Sequence, residues 1–417
     1  MGSMSIKYDG PVILVVMDGY GLSDNENGNA IMAAHKPTLD RISAEYPMQK
    51  LKASGTAVGL PSDSDIGNSE VGHNAMGAGR IYAQGARLVN EAIESGAMFK
   101  GKVWQELIDN AKKNHTLHFV GLLSDGNVHS NINHLFAMLD EAAREGVQKV
   151  RVHILLDGRD VEPQSALKYI DELEKKLTEI NSKTCHSELV SESTINPDET
   201  LKRVQGDNLP FDYQIADGGG RQQITMDRYE ANWPMVERGW NLMTGQNLES
   251  FESFNSAREA VEKFYRENPN GTDQDTPPFY VAGSQGAIMP DDSVILFNFR
   301  GDRAIEISEA FESGSDFDKF DRGAGFENGF KNFASLLEYD SEKHIPKNFL
   351  VAPPEFTHTL GEEVAKAGLR QLAISETQKI GHVTYFFNGN RAAKFNPDLE
   401  DYVEIPSDRV PFDTEPA

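Results

Sequence analysis

A single cysteine, Cys185, stands in 417 residues. It excludes an intrachain disulfide and fits a reducing cytoplasm. Long apolar runs are also missing. The longest clean one, Pro11 to Met17, is far short of the ~20 residues that span a membrane. No basic start followed by an apolar stretch marks a secretion signal. Positive charge is scarce: 40 Lys and Arg face 65 Asp and Glu, for a formal net charge of −25. Such a chain repels nucleic acid and anionic membranes unless a local basic patch overrides its field. If it binds a small anion, it needs a compact group of arginines. Three motifs are absent as well. No Gly-Lys-Ser/Thr follows a glycine loop, "GNSEVG" misses the hydrolase elbow spacing, and "GAGR" is no dinucleotide fingerprint. Three large enzyme classes drop out with them.

What remains is globular, with 39% hydrophobic and 25% charged residues. The length predicts two domains. Four apolar runs of strand length each end in a polar, glycine-containing loop. "PVILVVM" leads into Asp18-Gly19-Tyr20-Gly21, and "LHFVGLL" into Ser124 to His129. "VRVHILL" leads into Asp157-Gly158-Arg159-Asp160, and "SVILFNF" into Arg300-Gly301-Asp302-Arg303. Helical patterns lie between them, as at His134 to Glu145 and Ser165 to Leu177. Alternating strands and helices predict an α/β fold with a mostly parallel sheet, whose ligands sit beyond the carboxyl ends of the strands. All four runs place chemistry-bearing residues there, which favours an enzyme over a binding module. Thr184 to Asn208 reads as an exposed loop. Glu267 to Pro278 reads as turn-rich and solvated. The "HVTYFF" run from His382 reads as a strand, and the acidic end from Glu400 as extended.

In "GNSEVGHNAMGAGR" one serine, Ser69, lies between glycines. It is either the N-cap of a turn or a nucleophile that a phosphate can approach. Asp18, at a strand end, is a turn former or a metal ligand. Arg159, Arg221, Arg228, Arg300, Arg303 and Lys379 form the basic set. Guanidinium forks suit carboxylate and phosphate, although pairing to surface acids is the plainer reading. Gly218 to Gly220 ahead of Arg221 would let the backbone approach a ligand. Arg300 and Arg303 would share one face if a helix starts there. His129 reads as a proton carrier or phosphate contact, or else a turn cap. Neither Asp125 with His129 nor Asp340 with His344 reads as a metal pair.

Seven ordered segments resemble one family, the cofactor-independent (2,3-bisphosphoglycerate-independent) phosphoglycerate mutases of the alkaline phosphatase superfamily. They are "VVMDGYG", "GNSEVGHNAMGAGR", "GLLSDGNVHSN", "LLDGRDVEP", "GGGRQQITMDRYEANWPMVERGW", "FNFRGDR" and "SETQKIGHVTYFFNGNR". The "GGGR…TMDRYEANW" form resembles the plant and protozoan branch. The resemblance implies a split, alkaline-phosphatase-like phosphatase domain at 7–82 and 354–417. An α/β substrate domain is inserted between them at 83–353. It implies that Ser69 becomes phosphorylated and shares a metal with Asp18. His129, Arg159, Asp160, Arg221, Arg228, Arg300 and Arg303 match substrate-contacting positions, and Lys379 matches a lysine that reaches the phosphate. Asp160 or His129 would manage the hydroxyl proton. The implied reaction interconverts 3-phosphoglycerate and 2-phosphoglycerate in a cytoplasmic monomer with two divalent ions. Manganese is expected, with magnesium, cobalt or zinc as alternatives.

Family members carry a further Asp-x-x-x-His, Asp-His and His. No Asp-His dipeptide occurs in this sequence. The resemblance therefore implies an incomplete phosphatase domain and a partial metal site. Three readings stay open: a mutase, a silent chain that only binds phosphoglycerate, and a metal-dependent phosphatase.

Overall fold

A computed structural model describes residues 10–60, 63, 66–83, 85–183, 210–228, 230–340, 343–352 and 356–407. The expected loop at 184–208, the chain after 407, and residues 7–9 and 353–355 at the expected domain limits lie outside them. Nine strands are described: β1 (Leu117–Leu122), β2 (Lys149–Leu156), β3 (Asp212–Gly220), β4 (Glu252–Phe254), β5 (Phe279–Val281), β6 (Ser293–Leu296), β7 (Phe333–Ser335), β8 (Gln371–Glu376) and β9 (Glu400–Ile405). Seven form one sheet in the order β4-β5-β3-β2-β1-β6-β7, and β8 pairs with β9 alone. Every pairing is parallel except β3 with β5.

The sheet follows from its sequence. β1 is buried at every position and β2 at all but its first. A strand covered on both faces has no solvent side, so it reads as an unbroken apolar run. On one face the helices Ile132–Arg144 and Ala166–Asn181 contribute Leu135, Met138, Ile170 and Leu173 to the core. On the other, Val120 and Leu296 pack with Trp240 and Phe311. The chain winds from β1 to β2 and β3 on one side and to β6 and β7 on the other. Such a change of direction opens a crevice at the carboxyl ends of the strands. The loops after β1, β2, β3 and β6 all emerge there.

Several expectations are corrected. Pro11 to Met17 forms no strand, and Val12 and Val15 are exposed. A strand is a pairing, and no described strand pairs with this run. The "HVTYFF" run is helical. The helix Thr377–Gly381 continues into a wide turn over His382–Phe386. There Thr384 Oγ1 donates to the Ile380 carbonyl at 2.7 Å, and the His382 and Phe386 rings meet one turn apart. Local hydrogen bonding outweighs the β-branched composition. The Glu267–Pro278 stretch is not simply solvated, because Asp273 is fully buried and accepts the Ser165 and Ala166 amides that open the Ala166–Asn181 helix. Gly218 to Gly220 lie inside β3, and their bareness admits protein. A Cβ on Gly220 would stand 2.1 Å from the Gln274 carbonyl oxygen.

Two buried histidines make this core acid-sensitive. Burial pushes His118 and His134 down to about 4 from 6.5. His134 contacts Asn90 Oδ1 through Nε2 at 2.7 Å, joining Ile132–Arg144 to the helix Gly85–Glu94. A lowered histidine pKa means the unfolded chain binds the proton first. The stabilisation is complete above pH 6.5 and declines as pH falls toward 4. His134→Gln, which keeps a donor for Asn90, should flatten that decline by on the order of 2–3 kcal/mol. Urea unfolding at several pH values checks this; identical slopes for variant and parent would show that His134 carries none of it.

Candidate functional site

Ser69 is the first residue of the helix Ser69–Ala78, and the cap is its neighbour: Asn68 accepts the Val71 amide at 2.9 Å. The Ser69 hydroxyl is therefore not engaged in capping. Lys379 Nζ donates to Ser69 Oγ at 2.8 Å and lies 2.8 Å from Asp18 Oδ2. The Lys379 hydrogen bond holds the Asp18 carboxyl below its usual range against some burial, with help from the Ser69 hydroxyl and the His73 charge. His73, one turn along the helix, contacts the Ser69 carbonyl at 2.7 Å, and its ring lies 5.4 Å from His382. Burial, then the charges of Lys379 and His73, push His382 down.

Close backbone approach makes this cluster. A Cβ on Gly77 would lie 1.8 Å from the Phe387 carbonyl oxygen, so the Ser69 helix touches the end of the Lys379 segment directly. A Cβ on Gly67 would lie 2.0 Å from the Ala53 carbonyl oxygen. The loop before Ser69 is thus seated on residues 53–54, and Ser54 Oγ accepts the Gly67 amide at 3.0 Å.

The second cluster stands at the carboxyl ends of the large sheet. Asp157, just past β2, is buried. Its Oδ1 accepts from Arg221 Nη1 at 2.9 Å and from the amides of Arg159 and Asp160 at 3.2 and 3.0 Å. Its Oδ2 accepts from Ser124 Oγ at 2.6 Å. Arg221 Nη1 also reaches Asp160 Oδ2 at 2.8 Å, while Arg221 Nε is buried with no partner among the described residues. Burial, then the neighbouring Asp157 charge, raises the Asp160 carboxyl, and Arg221 opposes them.

His129 lies among these guanidiniums. Burial first, then the charges of Arg221, Arg300, Arg303 and Arg159, push its pKa down to about 2. Arg303 is buried, donates to the Met226 carbonyl at 2.7 Å, and feels Arg221 and then Arg228 after burial itself. Gly301–Arg303 is a single 3-10 turn with Arg300 as its N-cap. A turn of three residues places i and i+3 on one side, so it brings the two arginines together without an α-helix. The seven candidates of this half are thereby one group.

Glu70, which follows Ser69, lies within electrostatic reach of Arg300 and Asp302 of the second cluster. Loss of hydration raises its carboxyl, with Arg300 lowering and Asp302 raising it. Asp157, Ser124 and Asp302 lie in the loops that the sequence marks as chemistry-bearing, but neither they nor His73 stood out there as candidates. Asp157 and Ser124 carried the same signal as Asp18, a polar residue at a strand end. His73 is four residues from Ser69.

Asp18 and Ser69 offer oxygen donors of the kind a hard divalent ion takes, but such ions take four to six ligands. Lys379 already pairs with Asp18. Among the described residues no three His, Cys, Asp or Glu side chains gather to hold a metal. These two residues do not by themselves make a metal site.

A family model described as the BPG-independent PGAM N-terminus matches residues 89–341. A probable 2,3-bisphosphoglycerate-independent phosphoglycerate mutase of Leptospira interrogans is 48% identical over 414 residues, covering 97% of this chain and 69% of the relative. The 2,3-bisphosphoglycerate-independent phosphoglycerate mutase of Trypanosoma brucei brucei is 44% identical over 411 residues, with the same coverage. Among solved structures, Leishmania mexicana phosphoglycerate mutase at low cobalt concentration matches with a TM-score of 0.71 and 42% identity. That match covers 96% of this chain and 68% of the other.

Removing Asp157 would leave the buried Arg221 with Asp160 alone. Asp157→Ala should cost about 3–5 kcal/mol of stability, as for breaking a buried ion pair, and should loosen anion binding. Chemical denaturation measures the first; a loss under about 0.5 kcal/mol, the size of an ordinary surface change, would show the pair to be dispensable.

Proposed function

The chain belongs to the 2,3-bisphosphoglycerate-independent phosphoglycerate mutase family, and we propose from that premise that it interconverts 3-phosphoglycerate and 2-phosphoglycerate through a phosphoserine at Ser69. The observation that carries the role of Ser69 is the Lys379 ammonium, 2.8 Å from both its hydroxyl and the Asp18 carboxylate. A serine hydroxyl is a weak nucleophile near neutral pH, and an adjacent cation favours its ionised form. The same ammonium meets the charge of an incoming phosphoryl group.

The substrate is a small dianion-bearing acid. Arg159, Arg221, Arg228, Arg300 and Arg303 would hold its carboxylate and phosphate. Ser69 gives up its hydroxyl proton to solvent and its Oγ alkoxide attacks phosphorus; the new Oγ–P bond forms as the bond from phosphorus to the C3 oxygen breaks. The departing oxygen takes a proton. Asp160, whose carboxyl is raised, suits that donor role better than His129, which burial first and the arginines second hold neutral. Glycerate reorients without leaving. Its C2 hydroxyl gives its proton back to Asp160 and attacks the phosphoserine, which restores Ser69. Water in place of that hydroxyl would make the same serine a phosphatase.

A divalent-metal requirement goes with this reading, manganese being the proposed ion and Asp18 and Ser69 two of its ligands. We also propose a cytoplasmic monomer. No helix among the described residues is long and apolar enough to cross a membrane. The proposed division, with the nucleophile on 7–82 and 354–417 and the substrate groups on 83–353, is supported by packing. Ser69–Ala78 packs on the helix Leu360–Lys366 and on His382–Phe386, and the large sheet draws its strands from residues 117–335.

Ser69→Ala should abolish conversion of 3- to 2-phosphoglycerate and leave substrate binding intact. Turnover of the variant above a few per cent of the parent, or no label on Ser69 of the parent from phosphate-labelled substrate, overturns the assignment. Arg300→Ala and Arg303→Ala should each weaken binding by roughly 2–5 kcal/mol. Unchanged affinity by calorimetry would remove both from the site.

A further inference from the structure

His129 has one feature that the reaction above does not use. The ring is buried and neutral, so it carries a single proton. Which nitrogen holds that proton decides whether the ring gives or accepts a hydrogen bond on its other side. His129 Nδ1 is buried and has no hydrogen-bond partner among the described residues. Asp302 Oδ1 is in the same condition. The two orphaned atoms lie 3.5 Å apart. Arg300 Nε approaches the same oxygen at 3.1 Å but outside hydrogen-bonding geometry.

Buried polar atoms left unpaired are destabilising. A contraction of about 0.5 Å would join these two in an ordinary N–H···O bond, and catalytic hydrogen bonds often tighten only once ligand is bound. Only one arrangement allows it. If Nδ1 lacked the proton, its lone pair would face a carboxylate oxygen. With the proton on Nδ1, the ring donates to Asp302 and its other nitrogen, Nε2, keeps a free lone pair.

We propose that Asp302 is a positioning residue that holds the proton of His129 on Nδ1, so that Nε2 is a hydrogen-bond acceptor set among guanidinium donors. The arginines read the charged ends of a ligand. An acceptor among them reads a group that donates, and in a glycerate that group is the free hydroxyl. Asp302 thus acts on specificity through His129: a phosphorylated acid with a hydroxyl on the neighbouring carbon is favoured over one without. The hydroxyl part rests on the proposed reading of the substrate; the tautomer does not.

The test uses the full chain labelled with nitrogen-15 at histidine, the His129 signals being those lost in His129→Gln. The parent should show the Nδ1-protonated ring, and Asp302→Ala should move it to the Nε2-protonated form or a mixture. An Nε2-protonated ring in the parent, or the same tautomer in a folded Asp302→Ala, overturns the proposal. If Asp302→Ala does not fold, Asp302→Asn takes its place, because a side-chain amide can turn its donor to Nδ1 and release the tautomer. Calorimetry supplies the second arm, with 3-phosphoglycerate and 3-phosphopropionate, which lacks the hydroxyl. The parent should prefer the hydroxyl compound by about tenfold or more, and the Asp302 variant should lose most of that preference. An unchanged ratio overturns the specificity role. If the parent binds neither compound, the phosphoglycerate reading fails, while the spectrum still decides the tautomer.

Discussion

Arg221 is almost wholly buried, and one of its terminal nitrogens serves both Asp157 and Asp160. A charge taken out of water needs a partner, and satisfying this one organises the end of the large sheet. Asp157 answers it from the carboxyl end of β2. The same carboxylate gathers the amides of Arg159 and Asp160 and the hydroxyl of Ser124. One ion pair therefore shapes the loop after β2, ties it to the loop after β1, and aims the guanidinium that follows β3. His129 is then held neutral by its burial, and further by the field of the assembled arginines.

The opposite cluster rests on a different constraint, the absence of a side chain. Gly77 lets one helix meet the Phe387 carbonyl at a distance no Cβ permits. Ser69 and Lys379, 310 residues apart in the chain, are brought within a hydrogen bond by that packing. Because Asn68 provides the cap, the serine hydroxyl is left for the ammonium. Asp18 completes a trio in which the Lys379 cation offsets the carboxylate charge beside the Ser69 hydroxyl.

Charge explains why the two clusters differ in kind. The chain carries a net charge of −25, which opposes a small anion at a distance. A local site overcomes that field only if its cations stand close together and partly desolvated, where each acts with less screening. Arg221 and Arg303, buried at the strand ends, meet the condition. Asp157 and Asp160 temper it, keeping the group from repelling itself apart while leaving forks for a ligand.

The strands β1, β2 and β6 were legible because a strand buried on both faces must be apolar throughout. The chemistry-bearing loops were legible because each follows such a run. The motif segments marked Asp18, Ser69, Lys379 and the arginines as residues of interest. Sequence could not show that Pro11 to Met17 finds no strand partner among the described residues, since pairing belongs to two segments and not to one. It could not show that the "HVTYFF" run bonds back into a helix, or that Gly218 and Gly220 admit Ile154 and the Gln274 backbone. Asp157 and Asp302 stayed hidden because each acts on a partner brought near by the fold. Composition and the order of motifs by themselves determined the class of fold and the kind of anion chemistry. Only the tertiary structure decided which carboxylate steadies which cation, because those energies depend on distance and burial between residues far apart along the chain.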